Sequence, residues 1–562
     1  MAVQNRDVNR RKAWPLVAML ALIYLLVMHL VIANMGGSGS ELPTSLWVWF
    51  CMLLLLGCGW PCFVRTAIAV APGTRRIVVG ALLMSLPLAW SPEPGWRLDA
   101  LPRFAGLWAG ALLLLLLTHV RFSARQRQTL LYLLVIAGLI QAVYSLLGLH
   151  LPTVLPGFEQ QVLAASPGNI SVFQQRNVAG SFLACGGAVG LYSLGSPFFC
   201  TRYPRREAAR IAAISVAVMV LFWALAEIPS RIGWLSAICV YVGMVCLHWQ
   251  ASPTWRRGLL LGAPAVGVVI GASLMSLSFS EALAQHDGST LQRLMILRET
   301  LRMIAQHPFL GWGYGSYVWH FSHFIADRAT PIANGCSIIP HPHNALLYWW
   351  VEGGLVALMG LMLLAWAGMT LFFRTTNRQM LSLLFCLLPL LLHTQVEYPF
   401  YQSATHWLTF IMLLSLAAGE GEPVRAFSGR WEPYFSSLVM IAVCAGAFTL
   451  LATLRQQSVL TDFEQTPEKY YRQVLALRES GLETARFRKD RALALVVEYQ
   501  QTGNRQALSM YISQATRWLN LWVDADMYNN VINVDFFMGN AIAGKAFKSE
   551  AERIFIDDNR FQ

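Results

Sequence analysis

Charge is scarce in this sequence. Only 13% of its 562 residues are Asp, Glu, Lys or Arg, while 56% are apolar. A soluble domain carries about 25% charged residues, so a water-soluble globule of this length is excluded. Paired cysteines are missing too. Ten cysteines are present, but most lie inside apolar runs (Cys51, Cys58, Cys185, Cys239, Cys246, Cys386, Cys444), and Cys336 stands alone in a polar stretch. No Cys-x-x-Cys pair occurs, which removes both a disulfide framework and a zinc knuckle. The formal charge of +12 comes almost entirely from arginine, in short clusters between apolar runs. No basic stripe interleaved with aromatics appears, so nucleic acid is not an expected partner. Membrane orientation accounts for the charge, and the 20 tryptophans suit rings held at headgroup level.

What is abundant is long apolar runs. A helix needs roughly 20 apolar residues to cross the hydrocarbon core. Thirteen candidates occur, at 13–33, 46–64, 77–90, 104–120, 129–149, 178–196, 211–228, 232–248, 258–279, 345–373, 380–396, 404–418 and 435–454. The pair at 211–248 is short enough for a kinked or re-entrant arrangement. The basic stretch Met1 to Lys12 before Ala13 to Ala33 resembles a signal peptide, but the run is long and no small-residue cleavage site precedes Asn34. It reads as an uncleaved first span. With the N-terminus inside, the cytoplasmic segments hold 20 basic residues and the loops on the opposite side hold 8. That asymmetry follows the positive-inside rule. Thirteen spans then place the C-terminal tail outside.

Three external segments result: His150 to Asn177, a loop of about 65 residues from Ser280 to Asn344, and the tail from Arg455 to Gln562. The expected fold is therefore all-α. It comprises a polytopic membrane domain (1–454) with a large external loop (280–344), and a soluble helical domain (455–562) in which Leu475, Leu482, Leu493, Leu495 and Val496 supply helical apolar spacing.

Chemistry-bearing residues gather on the external side. The long loop holds six of the twelve histidines, His286, His307, His320, His323, His341 and His343. It opens with an amphipathic helix, Thr290 to Gln306, in which Leu294, Leu297, Leu301 and Ile304 recur at helical spacing beside Arg293, Arg298 and Arg302. His307-Pro308 stops that helix, and a Gly311-Trp312-Gly313-Tyr314-Gly315 turn follows. The plain alternative for these arginines is headgroup contact by an interfacial helix. The loop closes on His341-Pro342-His343-Asn344 before a span carrying Glu352-Gly353-Gly354. An imidazole at the mouth of a span is suited to accept a proton near neutral pH. His320-x-x-His323 and His341-x-His343 are also compatible with zinc or copper, but no paired Cys or Asp cluster accompanies them, so no metal is expected.

Three further clusters share this side. Ser171 to Asn177 precedes the sixth span, and Pro229-Ser230-Arg231 separates the seventh and eighth. A guanidinium there suits a phosphate, since an arginine between closely spaced spans is costly without an anion or water. His393 and Glu397, one helical turn apart before Tyr398-Pro399-Phe400, are spaced to pair. Interfacial anchoring is the plain alternative for Arg231 and Tyr398, and backbone capping for Gln175.

In order along the chain, these pieces resemble the bacterial O-antigen ligase and polymerase superfamily. The similarity lies in Ser230-Arg231 before a span and in the helix from Arg293 into His307-Pro308-Phe309-Leu310-Gly311-Trp312-Gly313. It continues in His341-Pro342-His343-Asn344 and in Glu352-Gly353-Gly354, so that the ordered set covers roughly 170–400. Phe173-x-Gln175-x-Asn177, Val396 to Phe400 and the helical tail are similar to the PglL-type protein O-oligosaccharyltransferases. Arg176 stands where that group more often carries proline. The resemblance implies catalytic roles for His343, Gln175 and Tyr398 and diphosphate binding by Arg231 and Arg293. It implies a metal-independent, cofactor-free, inverting transfer in the bacterial inner membrane, with the N-terminus cytoplasmic and the tail periplasmic. The donor would be a glycan on undecaprenyl diphosphate, and the acceptor a Ser or Thr of an exported protein such as a pilin. A ligase or polymerase with a lipid A core or glycan acceptor is the first alternative. A transporter is the second, although no matching halves are visible.

Overall fold

The structure is a computed structural model. It describes residues 13–34, 38–64, 69–70, 73–120, 122–165, 171–274, 287–328, 338–374, 377–418, 422–423 and 432–562. Cys336 and His286 lie outside them.

The protein is an all-α polytopic membrane protein, as its hydropathy requires. Among the described residues, each expected span overlaps a helix. Nine helices among the described residues are long and apolar enough to cross a membrane, and Trp14–His29, Arg378–His393 and Ala404–Ala417 are shorter apolar helices. The 77–90 run forms the twelve-residue helix Thr74–Ser85 and a 3-10 turn, Leu86–Ala89, entered at Pro87. The pair at 211–248 is two separate helices, Pro204–Glu227 and Arg231–His248, joined by three extended residues. The helix expected at 104–120 starts at Pro94 instead, so Arg97 and Arg103 are helical rather than loop residues. The only paired strands among the described residues are Ala69–Val70 and Glu422–Pro423, antiparallel. The chain divides into two compact units.

The first unit comprises Met1–Val78, Leu107–Ala284 and Leu364–Leu450. Its centre is the helix Arg176–Gly195, buried along its whole length. Small residues make that possible. A Cβ on Gly190 would lie 2.6 Å from Val218 Cγ2, and one on Gly180 would lie 3.1 Å from the Cα of Gly233. Among membrane helices, where lipid offers no hydrophobic drive to associate, such close approach supplies the packing. The N-terminus of this helix is thereby held against the N-terminus of Arg231–His248.

The second unit comprises Val79–Gly106, Gln285–Leu363 and Leu451–Gln562. Its tail forms short antiparallel helices, Pro467–Ala476, Thr484–Thr502, Arg505–Leu519, Ala525–Phe537 and Ala541–Ile554. Leu495, Tyr511, Trp518, Met527, Tyr528 and Phe555 share one core, and Tyr471, Val474 and Phe487 pack with Leu460 and Phe463 in a second. The tail begins inside an unbroken helix, Glu432–Gln465. It also grips the loop: the Trp319 indole donates to Leu519 O at 3.2 Å, and His323 Nε2 lies 2.9 Å from Glu550 Oε1.

His320 is enclosed by Trp96, Trp312 and Trp319. Burial, then the fields of His323 and His307, hold its pKa down to about 4. The sign is that of a base protonated only on unfolding: between pH about 6.5 and about 4 the unfolded chain binds the extra proton. Acidification across that window should therefore destabilise this unit, by on the order of 1–3 kcal/mol. His320→Phe should flatten the dependence in melting curves recorded between pH 7 and pH 4.5. An unchanged slope would mean that His320 is not the group responsible.

Candidate functional site

In the first unit, two of the clusters noted in the sequence meet at one carboxylate, and a third joins them through Asn177. Glu397 sits just beyond the helix Arg378–His393 and is 2% exposed. Its Oε2 accepts from Gln175 Nε2 at 2.6 Å and from Gln402 Nε2 at 3.3 Å. Its Oε1 accepts from Asn177 Nδ2 at 2.7 Å. His393 Nε2 lies 3.2 Å from Oε2, the pairing that the one-turn spacing predicts. Burial pushes the Glu397 carboxyl up, but the hydrogen bonds from His393, Gln175 and Asn177 outweigh it and hold the group well below the usual carboxylate range.

Gln175 is the N-cap of Arg176–Gly195, its Oε1 accepting from Val178 N at 2.9 Å. Glutamine is not among the favoured cap residues, so the cap does not by itself explain its presence. The capping alternative and the functional one thus meet in a single side chain. The preceding turn is strained: Ser171 and Gln174 have φ of 83° and 49° without being glycine. Gln174 and Asn34 exchange amide hydrogen bonds of 2.8 and 3.3 Å that tie the turn down. Such outliers collect where function over-determines the backbone.

The Ser-Arg element joins the same network. Ser230 Oγ donates to Asn177 Oδ1 at 2.9 Å and accepts from Gly233 N at 3.1 Å, capping the helix whose first residue is Arg231. Arg231 is half-buried there, at a helix N-terminus that favours anions. Tyr398, next to the hub, is half-buried, its ring 5.8 Å from that of Tyr401.

Arg293 and His343 belong to the second unit. Arg293 is half-buried on the helix Asp287–Gln306, whose Ile296, Met303 and Ile304 share a small core with Tyr317, Phe321, Ile339 and Val351. That core sets the turn carrying His341-Pro342-His343. His343 has a φ of 52°, and its N–H donates to His341 Nδ1 at 3.2 Å. Asn344 Oδ1 accepts from Leu347 N at 3.0 Å, which accounts for the asparagine of the motif as a helix cap.

The glycine motifs of this unit are backbone locks. Trp312 N donates to Val351 O and Gly313 N to Glu352 O, both at 2.9 Å, and Leu355 N donates to Pro308 O at 3.0 Å. A Cβ on Gly354, at φ 67°, would lie 2.2 Å from Phe309 O. The buried Glu352 side chain pairs with Arg103, and its Oε1 accepts from Gly315 N at 3.0 Å. Arg103, Asn34, Ser181, His406 and Gln402 are missed by sequence reasoning. Their one visible signal is polarity inside or beside apolar runs. No group of three or more His, Cys, Asp or Glu placed to hold a metal ion occurs among the described residues.

Fold and site together define a polytopic helical membrane protein with a buried amide–carboxylate centre and a braced loop between two of its helices. Residues 214–362 match the family described as O-antigen ligase, and residues 381–562 match that described as virulence factor membrane-bound polymerase, C-terminal. Both matches are consistent with the O-antigen ligase superfamily, a membrane glycosyltransferase-like group. No match is found among curated proteins. The ligase match contains Arg231, Arg293 and His343; the polymerase match contains Tyr398; Gln175 lies outside both.

Proposed function

We propose that this protein is a protein O-oligosaccharyltransferase of the bacterial inner membrane. It moves a preassembled glycan from undecaprenyl diphosphate to a Ser or Thr hydroxyl of an exported protein such as a pilin, on the periplasmic side. The observation that carries the reading is the 2.6 Å hydrogen bond between Gln175 and Glu397. It joins the two segments, Phe173 to Asn177 and Val396 to Phe400, whose sequences resemble the PglL-type enzymes.

The chemistry divides among the candidate residues. Lipid diphosphate leaves as an anion, and Arg231 and Arg293 offer it charge-assisted hydrogen bonds. The acceptor hydroxyl is a weak nucleophile, so His343 takes its proton as the acceptor oxygen bonds to the anomeric carbon. The bond from that carbon to the diphosphate oxygen breaks, with inversion. Gln175 and Tyr398 offer hydrogen bonds to donor or acceptor. The lipid tail requires a lateral opening between spans, which a membrane enzyme can supply and a soluble one cannot.

A second reading, transfer to a lipid A core or a growing polysaccharide, is favoured by the polymerase match over 381–562. Co-expression with a defined lipid-linked glycan and candidate pilins, followed by glycopeptide mass spectrometry, separates the two. Glycosylated Ser or Thr in exported protein is expected. Glycan on lipopolysaccharide or free polysaccharide alone would overturn the first reading. Transport of a labelled solute without transfer would overturn both.

A further inference from the structure

We propose that Glu397 is a positioning residue for the transfer, fixing the direction in which the Gln175 and Asn177 amides face. The inference rests on the oligosaccharyltransferase reading and deepens it.

An amide presents an oxygen or a nitrogen to a given neighbour, and an imidazole presents either nitrogen, so each is oriented by its partners. An ionised carboxylate only accepts. Glu397 therefore turns the nitrogens of Gln175, Asn177, Gln402 and His393 toward itself. The outward consequences follow in order. Gln175 Oε1 faces the Val178 N–H. Asn177 Oδ1 faces the Ser230 hydroxyl, which caps the helix that begins at Arg231. His393 Nδ1 lies 2.9 Å from Ser181 Oγ, whose hydroxyl donates to Val178 O at 3.1 Å and which lies 3.1 Å from His406 Nε2. One buried charge thus orients side chains at 175–177, 393 and 402 and, through Asn177, the Ser230 cap at 230–233. The charge also tolerates burial, because each of these hydrogen bonds donates to it.

The test uses the full-length protein in detergent or liposomes, with lipid-linked glycan as donor and both a pilin and a lipid A core as acceptors. Glu397→Gln keeps the shape but places a donor among donors. It is expected to lower kcat roughly 10–100-fold, the loss of charge-assisted hydrogen bonds, with KM for the donor and the melting temperature little changed. Glu397→Asp should restore part of the activity. If Glu397 acts through Gln175, the double variant Gln175→Ala with Glu397→Gln is no slower than Gln175→Ala alone. Additive losses, or a Glu397→Gln protein as fast as wild type, overturn the inference. Wild type active only on the lipid A core overturns the protein-acceptor reading instead, and the same cycle is then measured on that acceptor. Wild type inactive on both acceptors overturns both.

Discussion

His343→Ala is expected to lower glycan transfer by about 10²–10⁴-fold, the usual contribution of a general base. His343 is half-exposed at a left-handed backbone position, φ 52°, where histidine is better tolerated than most residues. What holds the turn is its backbone N–H, donated to His341 Nδ1, and the Asn344 cap. Removing the imidazole leaves both in place, so folding should survive. Alanine at that φ adds strain of about 1 kcal/mol, and a second variant separates strain from chemistry. His343→Asn keeps a residue at ease in the left-handed region, and it too should be inactive. The pH profile gives an independent readout. Protonating a general base on the acid side slows the wild type, and the residual activity of His343→Asn should lack that limb. A fully active His343→Ala protein would remove His343 from the mechanism. An active His343→Asn beside an inactive His343→Ala would make the residue a backbone device.

The spans were legible because length and apolarity are properties of a run, and runs are local. The pairing of His393 with Glu397 was legible for the same reason, since it is one helical turn. The clusters at 171–177, 230–231 and 393–400 could be singled out as polar islands beside spans. That Glu397 joins them could not, because Gln175 and Glu397 are 222 residues apart and neither periodicity nor spacing encodes the partner. His406 and Ser181, both fully buried, looked like ordinary interruptions of apolar runs. Arg103 falls between the apolar runs 77–90 and 104–120, where hydropathy alone gives no sign of a helix. The helix in fact begins at Pro94, where the backbone continues past the stretch that hydrocarbon would require. The Glu-Gly-Gly element was visible as a motif, but its work is backbone contact with Phe309 to Gly313, which only the fold displays.

That lock leads to the largest stability effect expected. Glu352 is 1% exposed, paired with Arg103, and accepts from the backbone of Gly315 and Tyr317. Arg103 also donates to the Tyr348 hydroxyl at 2.6 Å. Removing one partner of a buried pair typically costs 3–5 kcal/mol, because the other charge stays desolvated. Glu352→Ala should therefore cost about 3–5 kcal/mol, and it also withdraws the acceptor that orders the turn after Gly313. Glu352→Gln keeps an acceptor for Gly315 N–H and should cost less. The double variant Arg103→Met with Glu352→Leu removes both charges and should be milder than Glu352→Ala, since apolar replacement of a whole pair is often near neutral. Melting temperature and monodispersity in detergent provide the measurement. A double variant as unstable as the two singles combined would mean that the residues act separately. Because the lock sits between the helix Asp287–Gln306 and the turn bearing His343, the unstable singles should lose transfer activity as well, and the double variant should regain part of it.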